Sequence, residues 1–130
     1  MSKPAAKQGD QVMATDIHIV MIPTPGGPVP TPLPHPFVGT IAGSTSANVL
    51  INGRPAATVG SKATCIPHIP QGGPFQKPPS MSGTIITGSA TVLINGKPAA
   101  RATDTAMTCN DPVDLPNGKV IAATNVLIGG

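Results

Sequence analysis

Five residues of this chain, three histidines and two cysteines, have side chains that bind borderline-soft metal ions or act as nucleophiles. They are His18, His35, Cys65, His68 and Cys109. Neutral imidazole and thiolate are the ligands of a closed structural zinc site, which takes four of them at about 2.0–2.3 Å. Metal binding is therefore the first chemistry that these residue types suggest.

Nucleophilic catalysis is the second chemistry. Cys65 or Cys109 could be activated by His68 and oriented by Asp16 or Asp111. Such a pair needs a pocket, and a chain with so little bulky apolar surface would hardly form one beside its core. We therefore expect no catalytic residues and no enzyme, and we keep a small Cys–His hydrolase as an alternative.

The remaining composition restricts the elements that can position these side chains. Gly and Pro account for 32 of the 130 residues, and Val, Ile, Leu and Phe together for 29. Pro and Gly break helices, which excludes a helical bundle, and the glycines keep no three-residue period, which excludes a collagen. A disordered chain or a small all-β fold with a staple in addition to its core remains.

The charges are scattered, which argues against a nucleic-acid surface. Eight basic and five acidic residues give a net charge of +3, and Phe37 and Phe75 are the only aromatic residues. Nucleic-acid surfaces need clustered basic residues, and those for single strands also need aromatics. No apolar run approaches the ~20 residues of a membrane span, and residues 1–10 lack the apolar segment of a secretory signal. We expect a chain made in the cytoplasm, where a disulfide between Cys65 and Cys109 is disfavoured.

An internal repeat organises the chain. The segment Val49–Thr58 returns almost unchanged as Val92–Arg101. A third copy is divided between the two ends: Asn125–Gly130 matches its first half, and Lys3–Asp10 supplies its Lys-Pro-Ala-Ala half. Joined end to end, the three units predict a closed ring with pseudo-three-fold symmetry, built by the single domain 1–130.

Each unit is predicted to contain a short β-hairpin. Val-Leu-Ile is typical of a strand, Asn-Gly is the strongest short hairpin signal, and Pro lies near the start of the second strand, where its missing N–H costs least. The small Ala-Ala pair suits a crowded axis where three units meet. Between the hairpins, the Pro-rich segments Pro23–Phe37, Ile66–Phe75 and Asp111–Gly118 are predicted to be stiff spacers.

In such a ring, the loops that carry the metal-binding side chains converge at one end. We predict that His18, His35, His68 and Cys109 hold one structural Zn²⁺ ion, with Cys65 able to replace Cys109 or one histidine. The alternative is solvated histidines and small buried cysteines without a metal. An ion that joins three loops would add ~10–16 kcal/mol of apparent binding free energy to a thin core.

The motif Pro98-Ala99-Ala100-Arg101, within the pattern that runs from Ile85 to Asp104, resembles the PAAR-repeat proteins. These are spike tips of type VI secretion systems and related phage-tail-like contractile injection systems. The resemblance implies an all-β, cone-shaped arrangement of three hairpin units, with zinc near its apex held by three His and one Cys. It also implies a base that caps a trimeric β-helical spike protein (VgrG-like).

The function implied by this resemblance is mechanical. The tip would sharpen the spike for membrane puncture, contact the target membrane transiently, and travel outward with the particle, carrying any effector cargo without a covalent link. Some positions depart from the family pattern: Lys7 and Thr58 replace Arg, and Ser61 stands where the other units have Asp10 and Asp104. A stand-alone metal-binding adaptor remains a further alternative.

Overall fold

The computed structural model describes residues 2–129, which form an all-β fold of twelve strands without a helix. Among these residues there is accordingly no apolar helix of membrane-spanning length. In chain order, the strands are β1 Lys3–Pro4, β2 Gln11–Ile22, β3 Val29–Gly43, β4 Leu50–Ile51, β5 Arg54–Pro55, β6 Lys62–Cys65, β7 Ser82–Ile85, β8 Leu93–Ile94, β9 Lys97–Pro98, β10 Thr105–Thr108, β11 Leu115–Ile121 and β12 Leu127–Ile128.

Six of these strands close into a barrel, in the order β10-β11-β2-β3-β6-β7. The pairs β2–β3, β6–β7 and β10–β11 are antiparallel hairpins, one for each unit. Closure leaves the barrel without a free sheet edge. The sequence did not predict this barrel, because segments such as Ser82–Ile85 and Thr105–Thr108 are short and poor in large β-branched residues.

Three two-stranded sheets, β4–β5, β8–β9 and β12–β1, form a second layer, which we call the hairpin layer. This confirms the three predicted hairpins, including the one that the two ends of the chain complete together. Their register is equivalent in all three units. The cross-strand pairs are Ile51 with Arg54, Ile94 with Lys97, and Ile128 with Lys3.

The two intact hairpins turn at Asn-Gly, as predicted. Asn52 and Gly53 have φ angles of 50° and 81°, and Asn95 and Gly96 have 54° and 80°. Positive φ at both central residues gives the turn whose twist matches that of the flanking strands, and Asn and Gly adopt it at the lowest cost.

A cyclic set of hydrogen bonds joins the three units. The N–H of Ala6 donates to the carbonyl of Ala100, that of Ala100 to Ala57, and that of Ala57 to Ala6, each at 3.0 Å. The three alanines are buried, so the crowding expected at the meeting point of the units is present.

The core has one part on each side of this ring of alanines. Ala6, Ala57 and Ala100 pack into the barrel interior with large side chains that include Phe37 and Ile41. The preceding alanine of each unit points the other way, since successive residues of an extended chain face opposite sides. These alanines pack in the hairpin layer: Ala5, Ala56 and Ala99 contact Ile51, Ile94 and Ile128.

The stiff-spacer prediction is wrong for two of the three Pro-rich segments. Most of Pro23–Phe37 belongs to β3, which pairs with β2 from Val29 onward, and Leu115–Gly118 opens β11. Proline is tolerated in β3 because it occupies every second position, so the missing N–H groups all fall on one side of the strand. Residues 66–74 of the middle segment do lie outside the named strands.

The sequence departures in the second unit concern a turn that all three units share. The residue after Pro-Ala-Ala donates its backbone N–H to a side chain three positions later. The contacts are Lys7 to Asp10 Oδ2 at 3.0 Å, Thr58 to Ser61 Oγ at 2.9 Å, and Arg101 to Asp104 Oδ2 at 2.7 Å. The first and third units add an ion pair between the same residues, at 2.8 and 3.1 Å. Thr58 and Ser61 therefore replace a charged pair by a neutral pair and keep the turn.

Candidate metal centre

Three parts of the fold bring the metal-binding side chains together. Asp16 and His18 lie on β2, and His35 on β3 is the cross-strand partner of Asp16. Cys109 follows the last residue of β10, and His68 lies in the connection between β6 and β7. All five side chains are buried. They lie at the end of the barrel away from the hairpin layer. β2 starts at Gln11, beside the alanine ring, and His18 follows seven residues later, about 23 Å further along an extended strand.

The donor atoms of Cys109, His18 and His68 have the spacing of a tetrahedral site. Sγ of Cys109 lies 3.6 Å from Nε2 of His18 and 3.8 Å from Nε2 of His68. Bonds of 2.0–2.3 Å at a tetrahedral angle place a sulfur and a nitrogen about 3.6 Å apart. Three of the four predicted ligands thus fit one ion.

Asp16 joins these three residues, although the sequence suggested it only as the orienting group of a nucleophile. Its Oδ2 lies 3.1 Å from Nε2 of His68 and 3.3 Å from Sγ of Cys109. The ligand atoms of Asp16, His18, His68 and Cys109 all lie within 4.8 Å of one another. The two-residue spacing of Asp16 and His18, which puts both on one face of a strand, was the signal that could have found it.

His35 is outside that group of four, yet its ring has the position of a third imidazole ligand. The ring centroids of His18, His35 and His68 are 5.0, 5.5 and 5.5 Å apart. Imidazoles bound through nitrogen to one tetrahedral ion have centroids about 5.2 Å apart, since each lies about 3.2 Å from the metal. Nδ1 of His35 donates to the carbonyl of Leu33 at 3.0 Å, which leaves Nε2 with a free lone pair.

The other nitrogen of His18 is an orphaned buried polar atom that faces a carboxylate. Within residues 2–129, Nδ1 of His18 has no hydrogen-bond partner, and Oδ2 of Asp111 lies 3.7 Å away. The same oxygen accepts the N–H of Ile19 at 2.8 Å, which fixes its position. Burial lowers the pKa of His18 and the charge of Asp111 opposes this, so the imidazole is held in its neutral, ligating form. A carboxylate behind a histidine is the usual outer partner of a metal ligand.

The Cys109 thiol has the properties of a structural ligand rather than of a nucleophile. Burial, with the charge and hydrogen bond of Asp16, raises the pKa of Cys109 to about 12. Reactive cysteines have a lowered pKa and some exposure, whereas Cys109 is only 3% exposed. The hydrolase alternative therefore has no support in this geometry.

Cys65, the fifth candidate, lies close by but in a different environment. Its Sγ contacts Sδ of Met81 at 4.0 Å, and the side chain belongs to the barrel core. Burial raises the pKa of its thiol as well. Because Cys109 and not Cys65 is in the group of four, the geometry favours Cys109 as the ligand.

Comparison with known families agrees with the hairpin motif. The family model described as the PAAR motif matches residues 75–130. Over these residues, the chain is similar to PAAR-motif proteins. The PAAR match includes β8–β9 with its Pro98–Arg101 segment and Cys109, whereas His18, His35 and His68 precede it. No curated protein matches the chain.

The residues before the PAAR match repeat its local structure. Pro55-Ala56-Ala57 and Pro4-Ala5-Ala6 occupy the same place in their units as Pro98-Ala99-Ala100, as the alanine ring demonstrates. A unit of this kind therefore occurs three times in the described residues. The unit that contains β8 and β9 is the one that lies intact within the matched residues.

Proposed function

We propose that this protein is the structural tip of a contractile injection or secretion machine and that its hairpin layer caps a trimeric β-helical, VgrG-like spike protein. The PAAR-motif match supports a structural role of this type. The observation that carries the proposal is the threefold repetition of one exposed side chain. Leu50, Leu93 and Leu127 hold equivalent positions and are 60%, 61% and 61% exposed.

This repetition is what a trimeric partner requires. Three equal leucines can make the same contact with each of three identical subunits, although the protein itself is one chain. Large apolar side chains exposed in a symmetric set are typical of interaction surfaces rather than of free solvent-facing ones. Beneath them, Ile51, Ile94 and Ile128 are nearly buried and give the layer a firm apolar centre.

Charge distinguishes the rim of the same layer. Lys3, Arg54 and Lys97 repeat with the three units, and none of them forms an ion pair within residues 2–129. The hairpin-layer segments of the sequence contain no acidic residue. An apolar centre with a charged rim is the usual anatomy of a protein interface, and the rim charges favour a partner whose end carries carboxylates.

The proposal includes one structural Zn²⁺ ion at the opposite end, held by His18, His35, His68 and Cys109. The distances and ring positions described above support this set. Zinc with one thiolate and three neutral imidazoles leaves one positive charge, which the buried carboxylate of Asp16 would neutralise. When bound, zinc supplies a cross-link rather than chemistry, because four protein ligands leave no open position.

In this proposal, residues 1–130 act as one non-enzymatic domain, in which the pairing of β1 with β12 closes the ring. The protein is made in the cytoplasm and leaves the cell as part of the particle. It touches the target membrane only during puncture, binds no nucleic acid, and can carry effector cargo.

A binding experiment tests the docking role. The zinc-loaded protein is mixed with the trimeric β-helical spike protein encoded by the same genome, and the mass of the complex is measured by light scattering after size exclusion. We expect one copy of this chain per trimer. A spike trimer that elutes free of the zinc-loaded protein, or a complex with three copies per trimer, would contradict the proposal.

A further inference from the structure

The β2–β3 hairpin extends past the barrel and leaves one edge of β3 without a neighbouring strand. Beyond the residues that pair with β6 and β11, β2 and β3 continue to pair with each other as far as Ile22 and Val29. In this part of β3, every second residue is proline and is exposed. The four are Pro30, Pro32, Pro34 and Pro36.

The positions of the prolines decide which hydrogen bonds this edge can make. In an antiparallel pair, successive residues direct their N–H and C=O groups to opposite sides. The backbone N–H and C=O groups of Thr31, Leu33 and His35 point toward β2. Their cross-strand partners are the residues of β2 whose N–H groups do not bond to other segments. The prolines therefore direct their backbone outward, where they offer a carbonyl and no N–H. The edge has acceptors only.

The opposite edge of the hairpin, on β2, is closed in a different way. There, two connecting segments cover the backbone. The N–H groups of Ile17, Ile19 and Met21 donate to Asn110 Oδ1 at 2.7 Å, Asp111 Oδ2 at 2.8 Å and the Pro74 carbonyl at 2.8 Å. The carbonyls of Ile17 and Ile19 accept the N–H groups of Asp111 and Gln76. The proline edge is thus the one side of the extended hairpin with no such cover among the described residues.

The apolar surface beside this edge would favour association with another strand if the edge also offered hydrogen-bond donors. Val29 is 46% exposed on β3, and Ile66 and Ile69 are 76% and 74% exposed. Ile66 and Ile69 line a groove of about 300 Å³ together with Pro34 and Pro36. A regular strand with this surface would be a template for pairing with another chain.

We propose that the alternating prolines of β3 prevent strand addition at this edge, so that copies of the protein do not pair edge to edge. An incoming strand would find no donor for its carbonyls at every second residue, and those carbonyls would face the proline rings. This inference concerns the protein alone and does not depend on the proposed docking role.

The test restores donors to the edge. In the variant Pro30→Thr/Pro32→Thr/Pro34→Thr, each threonine can adopt the same extended backbone and supplies an N–H. The control is Pro23→Thr/Pro25→Thr/Pro28→Thr, which removes as many prolines from the turn between β2 and β3. A cooperative thermal unfolding transition confirms that each variant keeps its fold. Analytical ultracentrifugation and amide hydrogen exchange are the readouts.

We expect the edge variant to form dimers or larger assemblies and to have a solubility limit at least about tenfold lower than that of the control. On assembly, the amides of residues 30–34 should become protected from hydrogen exchange. An edge variant that stays monomeric over the concentrations at which the control is monomeric would overturn the proposal. If the triple variant does not fold, Pro32→Thr alone restores one central donor. A single variant that assembles no more than wild type overturns the proposal equally.

Discussion

Nε2 of His18 lies 3.6 Å from Sγ of Cys109, although 91 residues separate them in the chain. β2 carries the histidine, β10 precedes the cysteine, and the two strands become near neighbours only through β11, which pairs with both. The candidate metal site therefore forms only when the barrel is closed. A metal bound there stabilises the whole fold, because the unfolded chain has no preformed site.

Loss of the thiolate should unfold the site. We expect Cys109→Ser to lose bound zinc and to lower Tm by more than about 10 °C, since loss of even ~3 kcal/mol shifts a domain of this size by roughly that amount. Metal analysis and calorimetry provide the measurement. Cys65→Ser is the matched control and should keep its zinc; the reverse pattern would assign the ligand to Cys65.

His35 and Asp16 compete for the fourth place in the site, and cobalt distinguishes them. With Co²⁺ in place of zinc, we expect His35→Ala to lose the intense tetrahedral absorption bands. Asp16→Asn should keep those bands and weaken metal affinity by about 10–100-fold, as expected of an outer partner. Tetrahedral bands that survive in His35→Ala and disappear in Asp16→Asn would make the carboxylate the ligand.

Metal uptake should release a proton from Cys109. Its pKa of about 12 keeps the metal-free thiol protonated at neutral pH, whereas a ligand must be a thiolate. Raising the pH therefore increases zinc affinity, and lowering it weakens binding. Titration in a weakly buffered dye solution should show about one proton fewer for Cys109→Ser than for wild type. Equal proton release by the two proteins would show that the thiol does not bind the metal.

The sequence predicted those parts of the fold that are determined locally. The hairpins of the hairpin layer follow from Val-Leu-Ile, Asn-Gly and Pro-Ala-Ala, and the division of the third unit between the two ends of the chain followed from self-comparison. The barrel did not follow, because strands such as Ser82–Ile85 have little strand propensity of their own. They become strands by pairing with neighbours that are distant in the sequence.

The stiff-spacer prediction for the Pro-rich part of β3 fails for a related reason. Its proline content is typical of a spacer, but the period of two places every proline on the outer edge, and that period is a strand signal. The candidate site was predicted in part. Histidine and cysteine are recognisable as ligands by type, whereas Asp16 resembles an ordinary surface acid until its burial is known.

Binding to a trimeric spike should depend on the three exposed leucines. We expect Leu50→Ser/Leu93→Ser/Leu127→Ser to weaken the complex at least about 100-fold, because buried apolar anchors contribute most of an interface's binding energy. Its Tm should stay within a few degrees of wild type, since all three side chains are exposed in the free protein.

A control for this variant uses apolar residues outside the hairpin layer. Ile66→Ser/Ile69→Ser/Val113→Ser removes three side chains of similar exposure, 76%, 74% and 62%, and should leave spike binding unchanged. Binding should also weaken as salt rises if Lys3, Arg54 and Lys97 meet carboxylates. A leucine variant that binds as tightly as the control would place the docking surface elsewhere.

The second unit provides a template for testing the buried ion pair of the third. Arg101 and Asp104 are 7% and 4% exposed, so Arg101→Thr leaves a buried carboxylate unpaired and should cost about 3 kcal/mol of unfolding free energy. Arg101→Thr/Asp104→Ser copies Thr58 and Ser61, which keep the same turn, and should recover most of that loss. Denaturant unfolding measures both. A double variant no more stable than the single would show that the pair is not exchangeable between units.

The ring of hydrogen bonds among Ala6, Ala57 and Ala100 also couples the positions of the three units. Each of the three segments donates to one neighbour and accepts from the other, so no segment is the end of the chain of bonds. Displacement of one segment therefore strains its hydrogen bonds to both of the others. In the proposed tip, a thrust along the axis of this ring would therefore load the three units together.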